Sequence, residues 1–112
     1  MKKTRVDQKF TDLKKRGQKG FIAYLSAGDP NLADTVDIVL RLEDAGVDLV
    51  ELGLPFSDPL ADGPVIQASH QRALKKNVSL ADVFKLVKKV RNSCIITLFL
   101  QNLSALGLSV RL

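Results

Sequence analysis

The sequence predicts a protein of the α/β class whose strands are parallel. Three runs, at 21–27, 47–54 and 94–100, are mainly apolar on both strand faces, and segments with helical spacing of apolar residues separate them. Antiparallel strands usually alternate between apolar and polar residues, whereas parallel strands flanked by helices do not. Three strands with helices on one side leave one sheet face bare. Either another element covers that face, or the chain is a piece of something larger.

A helix is predicted ahead of the first strand, because Val6, Phe10 and Leu13 recur at positions i, i+4 and i+7. Their stripe is narrow and the rest of the segment is charged. Gly17 and Gly20 end this helix.

A strand, a turn and a helix are predicted after Gly20 and together form the first β/α unit. The strand at 21–27 ends in a turn with the sequence GDP at 28–30. A second helix is predicted from about 32 to 45, with Gly46 at the C′ position that favours glycine. The second strand, 47–54, comes directly after it.

Two helices are predicted between the second and third strands. Pro64 suits the first turn of one of them, and Ser79 followed by Asp82 resembles a capping box at the start of the other. The expected inner face of the first is formed by Ile66, Ser69, Ala73 and Leu74. The third strand, 94–100, completes the order helix, strand, helix, strand, helix, helix, strand.

The composition is that of an ordinary globular domain, with 46% hydrophobic and 26% charged residues in a chain of 112. The net charge of +5 comes from residues 1–19, which hold eight basic and two acidic residues, against nine and ten in the remainder. A basic nucleic-acid-binding protein is disfavoured, because the charge is confined to one segment without interleaved aromatic residues. A solvated helix face accounts for it better.

The single cysteine, Cys94, excludes an internal disulfide and a cysteine-rich metal site. The most apolar run, 94–100, is too short to span a bilayer, and no apolar region follows the first lysines as in a secretory signal. A cytoplasmic protein is therefore predicted. Phosphate-loop, zinc and catalytic-triad motifs are absent from the sequence.

Carboxylates cluster where the second strand ends, in the sequence ELGLPFSDPLADGP at 51–64. Side chains alternate across a strand, so Glu51 shares a face with Val47 and Leu49 near the carboxyl end, where parallel α/β folds bind ligands. A solvent-facing edge carboxylate is the alternative for Glu51. Asp58 before a proline can open a turn, and Asp62 can cap the next helix. The residues alone leave catalysis open.

His70 is the only histidine and falls within the third predicted helix. No second histidine, cysteine or serine stands at the spacing of a metal site or a nucleophilic pair. It is therefore predicted to be a surface or partly buried helix residue.

Three sequence blocks resemble the N-terminal part of tryptophan synthase alpha chains. They are FIAYLSAGDP at 21–30, AGVDLVELGLPFSDPLADGPVIQ at 45–67 and RAL at 72–74, and the resemblance extends from about residue 5 to about residue 96. It implies the N-terminal portion of a (β/α)8 TIM barrel, with about three parallel strands and an extra N-terminal helix. It also implies aldol cleavage of indole-3-glycerol phosphate to indole and glyceraldehyde 3-phosphate in tryptophan biosynthesis.

The same resemblance implies partners and site residues. Glu51 corresponds to the general acid/base acting on the glycerol side chain and indole C3, and Asp62 to the carboxylate at the indole N–H. The alpha chain needs no cofactor or metal, because pyridoxal phosphate belongs to the beta chain of the α2β2 heterotetramer. Residues implied to contact the beta chain are Pro55, Phe56, Ser57, Asp58 and Pro59.

The sequence departs from the family pattern after about residue 96, where it reads LFLQNLSALGLSVRL at 98–112. The family continues with a Y-N-P-like turn and five more β/α units, in a barrel of roughly 250 residues with phosphate-binding loops after strands 7 and 8. We therefore expect one partial domain over 1–112, with a divergent tail at 97–112. The expectation is a truncated or frameshifted alpha chain without lyase activity of its own. The alternative is a non-catalytic partial subunit that only contacts the beta chain.

Overall fold

Strands and helices follow one another in the predicted order in a computed structural model, which describes residues 3–55, 63–93 and 97–101. The elements are α1 (Arg5–Lys15), β1 (Ile22–Ser26), α2 (Leu32–Asp44), β2 (Leu49–Gly53), α3 (Pro64–Lys75), α4 (Leu80–Ser93) and β3 (Thr97–Gln101). Each strand has five residues in the described part of the chain. The predicted α/β class is confirmed.

The three strands form one parallel sheet in the order β1-β2-β3. Tyr24 of β1 is in register with Glu51 of β2, and Glu51 is in register with Phe99 of β3. At the carboxyl ends, Ser26 pairs in the same way with Gly53. The predicted parallel pairing is therefore confirmed, and all three strands end at the same edge of the sheet.

The hydrophobic core lies between one face of the sheet and helices α2 and α4. Val50, Leu52 and Leu54 point into it from β2 and the residue that follows, and all are almost fully buried. The two helices, β3 and the residue after β1 supply the rest of the core: Ala27, Val36, Val39, Val83, Leu86, Val87, Val90 and Leu98. Burial of each valine or leucine side chain contributes roughly 1.5–3 kcal/mol to stability. The alternate residues of the strands form the opposite face, here called the inner face.

Local hydrogen bonds mark the start of α4 where the sequence predicted it. The Ser79 hydroxyl accepts from the Asp82 N–H at 3.2 Å, and the Asp82 carboxylate accepts from the Ser79 N–H at 2.9 Å. This predicted capping box precedes α4, and its hydrogen bonds hold the pKa of Asp82 below its usual range. Gly46 has φ +94°, which agrees with its predicted place after α2.

The predicted inner face of helix α3 is confirmed at Ala73 and extends to His70, which was not expected there. Its buried residues are His70 and Ala73, and among the described residues it adds none to the core between the sheet and helices α2 and α4. Ser69 is only half-buried. The face centred on His70 contacts the end of β1 instead, so the predicted surface or partly buried position of His70 is wrong.

Candidate active site at the carboxyl ends of the strands

Glu51 lies on the inner face of β2, two residues before the strand ends. Its neighbours Val50 and Leu52 point to the opposite face and are buried under the helices, whereas Glu51 is half-buried. The strand parity read from the sequence thus agrees with the structure. A carboxyl group in this position lies on the inner face, near the end of the sheet where parallel α/β folds bind ligands.

Gly53 is the next inner-face residue after Glu51, and its missing side chain makes room for Tyr24. A Cβ atom built on Gly53 would collide with the Tyr24 hydroxyl oxygen and lie 2.7 Å from Cζ of the ring. Such approaches are not tolerated without displacement of the ring. Gly53 is therefore required for the observed position of Tyr24 beside Glu51.

A polar cluster joins the end of β1 to helix α3. The Tyr24 hydroxyl lies 3.0 Å from Nε2 of His70 and 3.4 Å from the Ser26 hydroxyl. The Ser26 hydroxyl is 2.6 Å from that of Ser69, which donates to the Ile66 carbonyl at 2.7 Å. His70 is fully buried, so the hydrogen bond to Tyr24 offsets part of the cost of removing the imidazole from water.

An ion pair also joins the same helix to the loop after β1. The Arg72 guanidinium donates to both carboxylate oxygens of Asp29, at 2.9 and 3.0 Å. This bidentate hydrogen bonding raises the pKa of Arg72. Because Arg72 is largely exposed, the pair contributes little to stability.

Several residues that the sequence singled out lie outside the described part of the chain. Asp62, the second predicted catalytic carboxylate, is one of them, as is Cys94. Four residues predicted to contact a partner also lie outside the described part of the chain: Phe56, Ser57, Asp58 and Pro59. Pro55 is described and is half-buried just beyond β2. The pairing of Glu51 with Asp62 therefore stays a prediction.

Within residues 3–55, 63–93 and 97–101, no group of three or more histidine, cysteine or acidic side chains could hold a metal ion. In the same ranges, none of the helices has the length and apolar character needed to cross a membrane.

Sequence reasoning missed Tyr24, Ser26 and His70 as parts of this site. One signal was present, because Tyr24 and Ser26 stand two apart in an apolar strand and must share a face near its carboxyl end. Nothing comparable marked His70, which is 46 residues from Tyr24 along the chain.

Comparison with known proteins gives the site its context. Residues 10–104 match the family described as tryptophan synthase alpha chain. The chain belongs to this family. The match runs past the point near residue 96 where the resemblance was expected to end. Tryptophan synthase alpha chains are lyases of tryptophan biosynthesis, and the fold described above is a partial TIM barrel of this family.

The curated relatives named here are much longer than the segment that they share with this chain. The alpha chain of Caldanaerobacter subterraneus is 56% identical over 87 residues, which is 78% of this chain and 33% of that protein. The alpha chain of Thermoanaerobacter sp. strain X514 is 58% identical over 87 residues, again 78% of this chain and 33% of that protein. The chain thus spans about a third of the length of the curated relatives it matches.

Solved structures agree with this assignment. Tryptophan synthase subunit alpha from Legionella pneumophila has a TM-score of 0.85 and 35% identity, covering 95% of this chain and 42% of that one. A tryptophan synthase complex from Pyrococcus furiosus gives a TM-score of 0.70 at 39% identity, over 79% of this chain and 38% of that one. The strands, and with them the position of Glu51, therefore belong to the first part of an alpha-subunit barrel.

Proposed function

We propose that the chain provides the N-terminal part of an alpha-subunit active site that cleaves indole-3-glycerol phosphate to indole and glyceraldehyde 3-phosphate. The observation that carries this proposal is the position of Glu51, on the inner face of β2 at the carboxyl end of a partial alpha-chain barrel. The family membership supplies the reaction class.

The proposed step is an aldol cleavage that needs a single group able to give and take a proton. The Glu51 carboxyl group protonates indole C3, and the resulting carboxylate removes the proton from the adjacent side-chain hydroxyl. The bond between C3 and the glycerol carbon then breaks, its electron pair returns to the indole ring, and the hydroxyl carbon becomes the aldehyde carbon. Asp62 accepts a hydrogen bond from the indole N–H and stabilises the charge that develops on the ring.

The proposed partner is a tryptophan synthase beta chain in an α2β2 heterotetramer in the cytoplasm. Solved complexes of similar proteins, such as that from Pyrococcus furiosus, support a beta-chain partner. The segment from Pro55 to Pro59 is the proposed contact, since it directly follows the strand that carries Glu51. The alpha chain needs no cofactor in this scheme, and pyridoxal phosphate belongs to the beta chain.

The decisive experiment uses a full-length barrel. Residues 1–93, through the end of α4, are continued in frame with the remainder of the Caldanaerobacter subterraneus alpha chain. This hybrid is called the restored chain below. We expect it to release glyceraldehyde 3-phosphate from indole-3-glycerol phosphate in a coupled assay. A folded restored chain that binds a beta chain without cleaving the substrate would contradict the proposal and favour a non-catalytic partial subunit.

Replacement of Gly53 tests the packing of the site. We expect Gly53→Ala to destabilise the restored chain by about 1–3 kcal/mol, because the new methyl group overlaps the Tyr24 ring. Urea unfolding measures the loss. In the double variant Gly53→Ala/Tyr24→Leu the overlap is removed, so its loss should be smaller than the sum of the single losses. Additive losses would show that Gly53 and Tyr24 do not interact.

A further inference from the structure

His70 is buried beside the candidate active site, although the sequence did not predict this and the proposed reaction does not use it. It is the only histidine of the chain and is fully buried. A buried imidazole needs hydrogen-bonding partners, and its Nε2 lies 3.0 Å from the Tyr24 hydroxyl. The contact joins residues 46 positions apart, on a helix and on a neighbouring strand.

The Tyr24 side chain is constrained from several directions. Its hydroxyl is within 3.4 Å of the Ser26 hydroxyl as well as within reach of His70. The end of its ring lies against the bare backbone of Gly53. A phenol held by hydrogen bonds at its oxygen and by backbone contact at its ring end has little freedom to rotate.

Tyr24 is also the direct neighbour of Glu51. The two residues are register partners in adjacent parallel strands and share the inner face. Neighbouring strands lie about 4.8 Å apart, so the Tyr24 side chain leaves the sheet next to that of Glu51. The position of this ring limits the space in which a planar aromatic substrate can approach Glu51.

We propose that His70 is a positioning residue of the active site. Its hydrogen bond to the Tyr24 hydroxyl holds the aromatic ring beside Glu51, and the ring in turn orients the indole part of the substrate. His70 exchanges no proton with the substrate in this scheme and acts through Tyr24. The identity of the aromatic substrate rests on the proposed function.

The test is a double-variant cycle in the restored chain, with Tyr24→Phe, His70→Leu and their combination. We expect each single variant to lower kcat/KM for indole-3-glycerol phosphate about fivefold to tenfold, the range for one lost hydrogen bond. The combination should be no worse than either single variant, because both remove the same bond. His70→Gln places an amide nitrogen near the position of Nε2 and should restore most of the loss.

Arg72→Gln is the matched control, since it loosens the same helix without touching Tyr24. It breaks the ion pair with Asp29 and should lower the free energy of unfolding slightly while leaving kcat/KM unchanged. If Arg72→Gln reduces kcat/KM as much as His70→Leu, or if the losses from Tyr24→Phe and His70→Leu are additive, the positioning role is overturned.

Indole binding separates this inference from the proposed function. If the restored chain folds but has no lyase activity, the proposed function fails, and the dissociation constant for indole becomes the readout. We expect His70→Leu and Tyr24→Phe to weaken indole binding by the same factor, non-additively. Unchanged indole affinity in both variants would overturn the positioning role whatever the outcome of the lyase assay.

Discussion

Glu51→Gln is expected to reduce turnover of indole-3-glycerol phosphate by the restored chain by about 10²–10⁴-fold, the usual contribution of a general acid/base. The amide has nearly the shape of the carboxyl group but can neither protonate indole C3 nor accept the hydroxyl proton. Because Glu51 is only half-buried, the variant should fold normally. The measurement is kcat, with circular dichroism and thermal unfolding to verify the fold.

A matched control removes a carboxylate elsewhere. Asp37 lies on the exposed side of α2, where it pairs weakly with Arg41 at 3.8 Å. Asp37→Asn should leave kcat unchanged, because an exposed pair of this kind contributes little. Asp62→Asn should share the effect of Glu51→Gln, since it removes the carboxylate proposed for the indole N–H. Normal kcat in Glu51→Gln would refute the acid/base role, and normal kcat in Asp62→Asn would refute its role alone.

The polypeptide of residues 1–112, expressed by itself, is expected to self-associate and to show no lyase turnover. In the described part of the chain, Phe21 is 64% exposed and Ile22, on the inner face of the edge strand β1, is 48% exposed. An uncovered apolar sheet edge favours pairing with other chains, and barrel closure is what removes such edges. In such barrels the loops that follow strands 7 and 8 bind phosphate. The described residues form three strands, which are the first of the barrel.

Light scattering with size-exclusion chromatography, near-ultraviolet circular dichroism and the coupled lyase assay measure this prediction. The restored chain is the control, and we expect it to be less aggregated and to melt cooperatively. A monomeric 112-residue polypeptide with a cooperative melt would show that the core between the sheet and helices α2 and α4 suffices for folding. Measurable turnover by that polypeptide would contradict the need for the late loops.

The order of elements along the chain, the parallel pairing and the face of Glu51 could be predicted because all three follow from local patterns. Apolar runs between helical periodicities indicated parallel strands, and the two-residue alternation along β2 placed Glu51 opposite Val50 and Leu52. Local hydrogen-bonding signals also predicted where helices begin, as with Ser79 and Asp82 ahead of α4. Each of these signals lies within a few residues of the feature that it specifies.

The tertiary structure alone decided the surroundings of Glu51. Helix α3 buries Ala73 of its expected inner face, but it also buries His70 against β1, which its apolar residues did not indicate. The sequence by itself determined the family, the parallel strands and the inward-facing carboxyl group, because these depend on motif and periodicity. The hydrogen bond between Tyr24 and His70 joins residues that are 46 positions apart, on β1 and on α3. It depends on how α3 packs against β1, and no local pattern in the sequence specifies that packing. Only the folded structure brings the two side chains together, where their burial requires hydrogen bonding.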